Sequence, residues 1–574
     1  MEYDYIVCGG GTTGAVLAAR LASDANATVL LLEAGKDHLS HAFTRFAGGW
    51  KTGFNTSADW NIQTVPSAGL DGRQVAVSRG KFLGGCSACN GTLCVRGVKR
   101  DYDEWGLPGW GGDEVWAWMN KAECFHPKGW FAYDPASHGT AGMLHTAPMD
   151  PAPITQRVLE SMVGVGMPLG ADIFSSGETA VGCGHAVRTV HNGVRSTAAD
   201  FVRTATARGN LEVRTETMVD RVVLEREGEG EEAEWRAKGV QIVGVNGVRR
   251  TVSARKEVVV SGGAYCSPAV LMRSGIGAKE GVEGFGIESK VDLPGVGKNL
   301  MDHLIVFMFY EVSEAGVTKD RGIYAEGMHQ AAVQQWQETQ TGFLTDFPFG
   351  AFAYTRLDER LSDSSLWQDA PRKDGYDPMG LTPAQPNIEF FTTECYGGPS
   401  QYADFPLGGE SAFAIIPELF GQQSRGTVTL KSNDPLDTPV VDHKYLDDPL
   451  DLLVLAEACR YANEIVMNGA GTRDIVKAAW PPQAKHHEYE SREQWAAFVK
   501  KNATTCYHAS GTCRMGIDQD PQAVLDERLR VRGVKGLRVA DTSVMPTLIC
   551  GHTQMLAYAV GEKCASMITE DNSV

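Results

Sequence analysis

The chain opens on a change of hydrophobic period. Tyr3–Cys8 is a short apolar run that stops at Gly9-Gly-Gly11-Thr-Thr-Gly14. Ala15–Ala22 is built from strong helix formers, and Ala27–Glu33 is a second apolar run that ends in an acid. Short apolar runs bounded by glycine read as buried strands, and the Ala/Leu stretch between them as a helix. The pattern therefore predicts strand, tight turn, helix, strand, the opening of an α/β unit. Leu211–Arg214 reads as a further strand. Alternating strand-like patterns recur after residue 305, and a strand pattern returns at Leu537–Asp541 before a closing helix, Met555–Met567. Glu225–Glu234, charged and interleaved with Gly and Arg226, reads as a solvated hairpin loop.

The first unit carries chemistry. Gly9, Gly11 and Gly14 sit where a turn must be tight, where a pyrophosphate needs close backbone approach, and where helix and strand must touch. The helix start at Thr12 and Thr13 offers unpaired N–H groups to phosphate oxygens. Glu33, with Ala34 after it, lies nineteen residues beyond Gly14, where a carboxylate can hold ribose hydroxyls. Both FAD and NAD are compatible with this unit taken alone.

Length and composition narrow the class. A chain of 574 residues has room for several domains. Its 65 glycines exceed the usual level of roughly 7 % and point to many tight turns. A net charge of −18 repels phosphate backbones, which argues against nucleic acid as a partner. The 13 cysteines show neither a disulfide framework nor paired zinc-finger spacing, and most read as reduced, buried thiols. No signal-peptide pattern and no run of about twenty apolar residues is visible, so no transmembrane segment and a cytoplasmic location are the expectations.

Arg79-Gly-Lys-Phe-Leu-Gly-Gly-Cys-Ser-Ala-Cys-Asn-Gly91, followed by Arg96-Gly97, is the second informative stretch. Together with the N-terminal unit it resembles the glucose–methanol–choline (GMC) oxidoreductase family. Ser261–Gly277 resembles the second signature of that family, and Gly295–His303 the segment after it. Ser424–Leu430, Tyr507–Gly516, Arg538–Pro546 and Gly551–Gln554 resemble its C-terminal part. The match runs from first strand to last helix, with an unreadable middle at roughly 305–420.

The resemblance implies an α/β FAD-binding Rossmann-like domain plus an α+β substrate domain with an antiparallel sheet. The expected division is 1–304 mainly FAD-binding, with part of the substrate cap near 150–190; 305–505 mainly substrate-binding; and 506–574 a return to the FAD domain. It implies FAD as a non-covalent cofactor, held by Gly9, Gly11, Thr12, Thr13, Gly14, Glu33 and Ala34, and by Arg79, Gly84, Gly85, Ser87, Asn90 and Gly91. Val219 matches the position whose backbone meets adenine, and Ala540 and Asp541 those near the ribityl chain and pyrophosphate. Thr553 and Gln554 open the last helix towards the flavin. His508 matches the catalytic His of the family, the proton acceptor, and His552 the partner that binds the substrate oxygen and borders the cofactor. His303 reads as structural within its motif, and no metal is implied.

Departures from the family pattern matter. Cys89 stands where some members carry a His linked to the flavin, which excludes that histidyl bond. Tyr558–Ala565 and Asn299–His303 resemble the formate oxidase branch, yet that branch has Arg at the place of His552. Histidine suits an alcohol where arginine suits a carboxylate. The expected reaction is oxidation of a primary, aryl or allylic alcohol in secondary metabolism, with oxygen or another electron acceptor. The same scaffold also supports a non-redox lyase or cyclase, and less readily a formate oxidase. Phe347, Phe349, Phe352 and Phe391 are candidates for an apolar pocket or for core. The residues leave the specific substrate and the oligomeric state open.

Overall fold

The computed structural model describes residues 2–228, 234–320, 327–397 and 409–572. The strand Glu2–Cys8 lies at the centre of an eight-stranded sheet, parallel to Val29–Leu32 on one side and Arg249–Val260 on the other. Leu211–Arg214 continues the sheet in parallel beyond Val29–Leu32. Every residue of Val29–Leu32 is buried, packed by the helix Thr12–Leu21 and by the strand Thr217–Glu227. That is why these strands read as continuous apolar runs. Leu537–Val539 joins the same sheet beside Arg249–Val260 from the far end of the chain. The hairpin of Thr217–Glu227 and Glu234–Gly244 extends it antiparallel. The tip of the expected hairpin loop, 229–233, lies outside the described residues.

The chain ends meet on this sheet. The helix Thr12–Leu21 packs against the closing helix Gln554–Asp571, five residues longer than its sequence pattern marked. Thr13 Oγ1 donates to the Ala557 carbonyl at 2.8 Å, and Arg20 pairs with the buried Glu562 at 2.6 Å.

A second eight-stranded sheet is antiparallel. Its order is Val476–Ala479, Met308–Val312, Ser411–Leu419, Ile388–Thr393, Phe349–Thr355 and Gly182–Gly184, with Leu304–Ile305 and Thr504–Thr505 at one end. The alternation expected after residue 305 is absent from its central strands. Ile388–Thr393 is buried throughout, and Ser411–Leu419 at every position after the first. The helix Pro449–Asn468 packs on Ser411–Leu419, and residues of the neighbouring strands face a large cavity. With both faces covered, the strands have no solvent side to mark with polar residues. Among the described residues no helix is long and apolar enough to cross a membrane. No disulfide is present among the described residues.

Candidate active site

A cavity of about 590 Å³ lies between the two sheets. On the parallel-sheet side it is walled by Gly9, Gly11, Thr12, Thr13, Glu33 and Ala34. Gly9 has φ +116°, and a Cβ there would sit 2.3 Å from the Ser261 carbonyl oxygen. A Cβ on Gly11 would meet no protein atom within 4 Å, because it would project into the cavity at the head of the helix Thr12–Leu21. Space kept free of side chains beside orphan helix N–H groups is what a pyrophosphate requires. Glu33 is buried and accepts from Gly10 N at 2.9 Å and Gly35 N at 2.8 Å, which fixes its carboxylate at the cavity wall. Val219 and Asp541 also line the cavity. Asp541 accepts from Gly263 N at 3.0 Å and Ser267 Oγ at 2.6 Å.

Arg79, Gly85, Asn90, Gly91, Thr553 and Gln554 continue the wall. Arg195, buried behind it, donates from Nη1 to both the carbonyl and Oδ1 of Asn90, each at 2.8 Å. Asn90 Nδ2 in turn donates to Gln554 Oε1. A motif residue is thus locked to the first turn of the closing helix. Gly14, Gly84, Ser87 and Ala540, read from sequence as cofactor contacts, stand behind the wall instead. A Cβ on Gly14 would lie 2.0 Å from the Gly9 carbonyl oxygen. Gly84 N donates to Gly10 O at 2.7 Å, Ser87 Oγ holds Gly84 O and Ala198 N, and the Ala540 carbonyl accepts from Ser261 Oγ.

On the opposite side stand His508 and His552, with ring centroids 4.7 Å apart and planes nearly perpendicular. Both are buried and both line the cavity. His508 lies in the loop after Thr504–Thr505, its backbone N–H held by Asp302 Oδ1 at 2.7 Å. His552 lies just before the closing helix, its N–H on the Val95 carbonyl at 2.9 Å. Two carboxylates back the pair. Glu418 Oε1 is 3.1 Å from His508 Nδ1 and 2.8 Å from His303 Nδ1. Glu389 Oε2 is 3.2 Å from His552 Nε2, and Glu418 Oε2 is 3.6 Å from the same atom.

Glu389 and Glu418 are direct partners across two adjacent strands. Two buried carboxylates at one register position do not both ionise at neutral pH. Burial, reinforced by the charge of Glu418, pushes Glu389 up to about 7. Glu418 is held well below the usual carboxylate range, because His552, His303 and His508 outweigh the cost of its burial. Burial pushes His508 down to about 4, although Glu418 pulls the other way. His552 is raised: burial opposes its charge, but Glu389 and Glu418 together prevail. One ring is therefore set neutral and its neighbour is biased to the cation.

Neither glutamate was legible as a site residue, and His303, read as structural, shares a carboxylate oxygen with His508. The signal was an ionisable residue inside an apolar strand run, Ile388-Glu-Phe-Phe and Ile415-Ile-Pro-Glu418. Of the four phenylalanines, Phe347, Phe349 and Phe391 line the cavity. Phe352 stacks behind Phe391 at 6.0 Å as core. Cys86 and Cys89 also reach the cavity. A hydrogen bond from Cys89 and the nearby Arg79 guanidinium lower Cys86 to about 6 against the cost of burial.

Family models described as GMC oxidoreductase match residues 3–305 and 422–561. The chain belongs to the GMC oxidoreductase family. GMC oxidoreductases are FAD-containing enzymes, and the side-chain-free cradle between Gly9, Gly11 and Gly85 has the shape and donors for that cofactor. Among relatives, the chain is 31 % identical to glucose dehydrogenase (FAD, quinone) of Drosophila pseudoobscura pseudoobscura, covering 99 % of this chain and 87 % of the relative. It is 31 % identical to an oxygen-dependent choline dehydrogenase of Escherichia coli, covering 99 % and 96 %. A solved formate oxidase superposes with a TM-score of 0.90 at 28 % identity, covering 100 % of this chain and 99 % of that one. The GMC framework makes one prediction direct. Gly9→Ala, which needs a left-handed φ and a Cβ 2.3 Å from a carbonyl oxygen, will yield protein without the visible absorption of bound flavin. An absorption spectrum of the purified variant checks it.

Proposed function

We propose that this GMC oxidoreductase oxidises an alcohol, primary and aryl or allylic, to its carbonyl product, with His508 as proton acceptor and His552 as the group that binds the substrate oxygen. The observation that carries the reading is the opposed setting of the two rings by one pair of glutamates. With His508 Nδ1 donating to the Glu418 carboxylate, which offers only lone pairs, Nε2 is left as acceptor. A neutral His508 takes the hydroxyl proton at any pH well above 4. His552, charged or strongly polarised by Glu389 and Glu418, donates to the same oxygen as it gains negative charge. Phe347, Phe349 and Phe391 form an apolar wall that excludes water and suits an unsaturated carbinol.

FAD would be held by the cradle around Gly9, Gly11, Glu33, Asn90 and Asp541, non-covalently, and when bound supplies the two-electron acceptor. Oxygen or another acceptor then takes the electrons. The parallel sheet serves the cofactor and the antiparallel sheet the substrate, which supports the division near residues 304 and 505. Formate is the poorer substrate on this reading, because the ionised Glu418 behind His508 repels an anion.

The test is the visible spectrum of the holoenzyme during anaerobic addition of benzylic, allylic and aliphatic alcohols, choline and formate. Loss of the oxidised flavin band with benzylic or allylic alcohols is expected. Bleaching by formate alone, or a flavin that only dithionite reduces while the substrate returns as an isomer, overturns the reading. Acid precipitation should release all of the flavin into the supernatant, and yellow colour left in the pellet would disprove the non-covalent assignment.

A further inference from the structure

Outside the cavity lining, three short strands bring a thiol and imidazoles to one place on the surface. Cys124 lies on the strand Glu123–Phe125, whose parallel partner Leu144–Thr146 sets His145 at the register position of Cys124. His126 follows that first strand, its N–H on the Thr146 carbonyl at 2.8 Å. The ligand atoms of Cys124, His126 and His145 lie within 4.8 Å of one another, with His126 Nε2 and His145 Nδ1 at 2.9 Å. Tetrahedral zinc with bonds of about 2.0–2.3 Å needs ligand atoms about 3.3–3.8 Å apart, so side-chain adjustments alone close the site. His191, on the strand Val190–His191, stacks on His126 at 3.5 Å and 11°, which fixes that ring. The half-buried Cys124 thiol spends its one donor on the Thr140 carbonyl, with Sγ 3.3 Å from the oxygen.

The chemistry of this set is selective. It contains no carboxylate, so hard cations such as magnesium and calcium find no ligand. His145 is placed further by its N–H donating to Ser196 Oγ at 3.0 Å.

We propose that Cys124, His126 and His145 form a surface site for one divalent cation of the zinc class, with water in the fourth position. Binding replaces the thiol proton by the metal and releases that proton to solvent. The site ties the strand Glu123–Phe125 to Leu144–Thr146, and beside it Glu123 pairs with Arg96 at 2.7 Å.

A second group with ligand spacing, Glu418, Cys506, His508 and His552, is the catalytic wall itself, so the test separates the two. Chelator-treated holoenzyme is titrated with zinc chloride in competition with a chromophoric chelator. Cys124 is followed separately by mass spectrometry after alkylation. One equivalent bound at micromolar affinity or tighter is expected, with Cys124 protected from alkylation and a rise of a few degrees in Tm. Cys124→Ser and His145→Ala, checked as folded by their flavin spectra, should each weaken zinc at least 30-fold, while His552→Ala leaves that equivalent in place. Zinc that binds with Cys124→Ser as tightly as with wild type, that is lost with His552→Ala, or that fails to bind stoichiometrically overturns the proposal.

Discussion

His508→Ala will lower kcat for alcohol oxidation by about 10²–10⁴-fold while leaving the flavin spectrum in place. The residue touches the cavity but not the glycine cradle, so cofactor retention and proton transfer should separate. The pH profile gives the same assignment independently. As the proposed base, His508 must be neutral, and burial sets its pKa at about 4, so wild-type activity should stay level as the pH is lowered from 7 towards 5 and fall only as protonation sets in near 4. His552 works in the opposite sense. Its pKa is raised above the ordinary histidine value, so its donor strength is complete in acid and declines as pH rises through that raised value. The rate should therefore fall at the acid end through His508 and at the alkaline end through His552. Stopped-flow reduction rates between pH 4 and 9 for wild type and His508→Ala will show the acid limb present in one and missing in the other. An acid limb unchanged in the variant would remove His508 from the role of base.

The second large effect falls on a residue that touches no substrate. Glu418→Gln keeps the shape of the side chain and removes its charge. His508 and His303 both direct Nδ1 at one Glu418 oxygen. An amide oxygen at that position still faces both rings, but the amide N–H donors then take the place of the oxygen that faces His552 Nε2 at 3.6 Å. Breaking a buried charge network from one side costs about 3–5 kcal/mol, so a fall in Tm of several degrees is expected. The catalytic signature is more specific. Without the Glu418 charge, His552 loses part of what raises it, and the alkaline limb of the rate profile moves to lower pH. Glu389 loses the like charge that keeps it protonated and ionises more readily, which restores part of the attraction to His552. The Glu389→Gln and Glu418→Gln effects should therefore be strongly non-additive in a double-mutant cycle. Additive effects would show that the two carboxylates act separately.

The parts of this site that were legible in sequence are those set by local backbone. Gly9 is required by a left-handed turn, and the strand–turn–helix around it is contiguous, so a short window contains the whole reason. His508 and His552 were legible through the motifs that surround them. Glu389 and Glu418 were not, because their meaning comes from the register of two strands nearly thirty residues apart in the chain and from a histidine a further 134 residues on, numbers that only the folded sheet brings together. The same limit explains Phe352. It shares a strand with Phe349, but the sheet presents one ring to the cavity and the other to the core. Ser87 and Ala540 show the converse: within one motif, some residues line the cavity and others brace the backbone that does. Arg195, which fixes Asn90, sits outside the readable motifs, and its role is a matter of tertiary contact alone.

The meeting of the first and last helices bears on how the enzyme is made. Thr12–Leu21 emerges from the ribosome more than five hundred residues before Gln554–Asp571, the helix that covers it. At about 5–20 residues per second, translation leaves that apolar face waiting for roughly half a minute to two minutes. During that time the nascent chain carries a complete glycine turn but neither Gln554 nor His552. A complete cradle therefore forms only after the closing helix has been made.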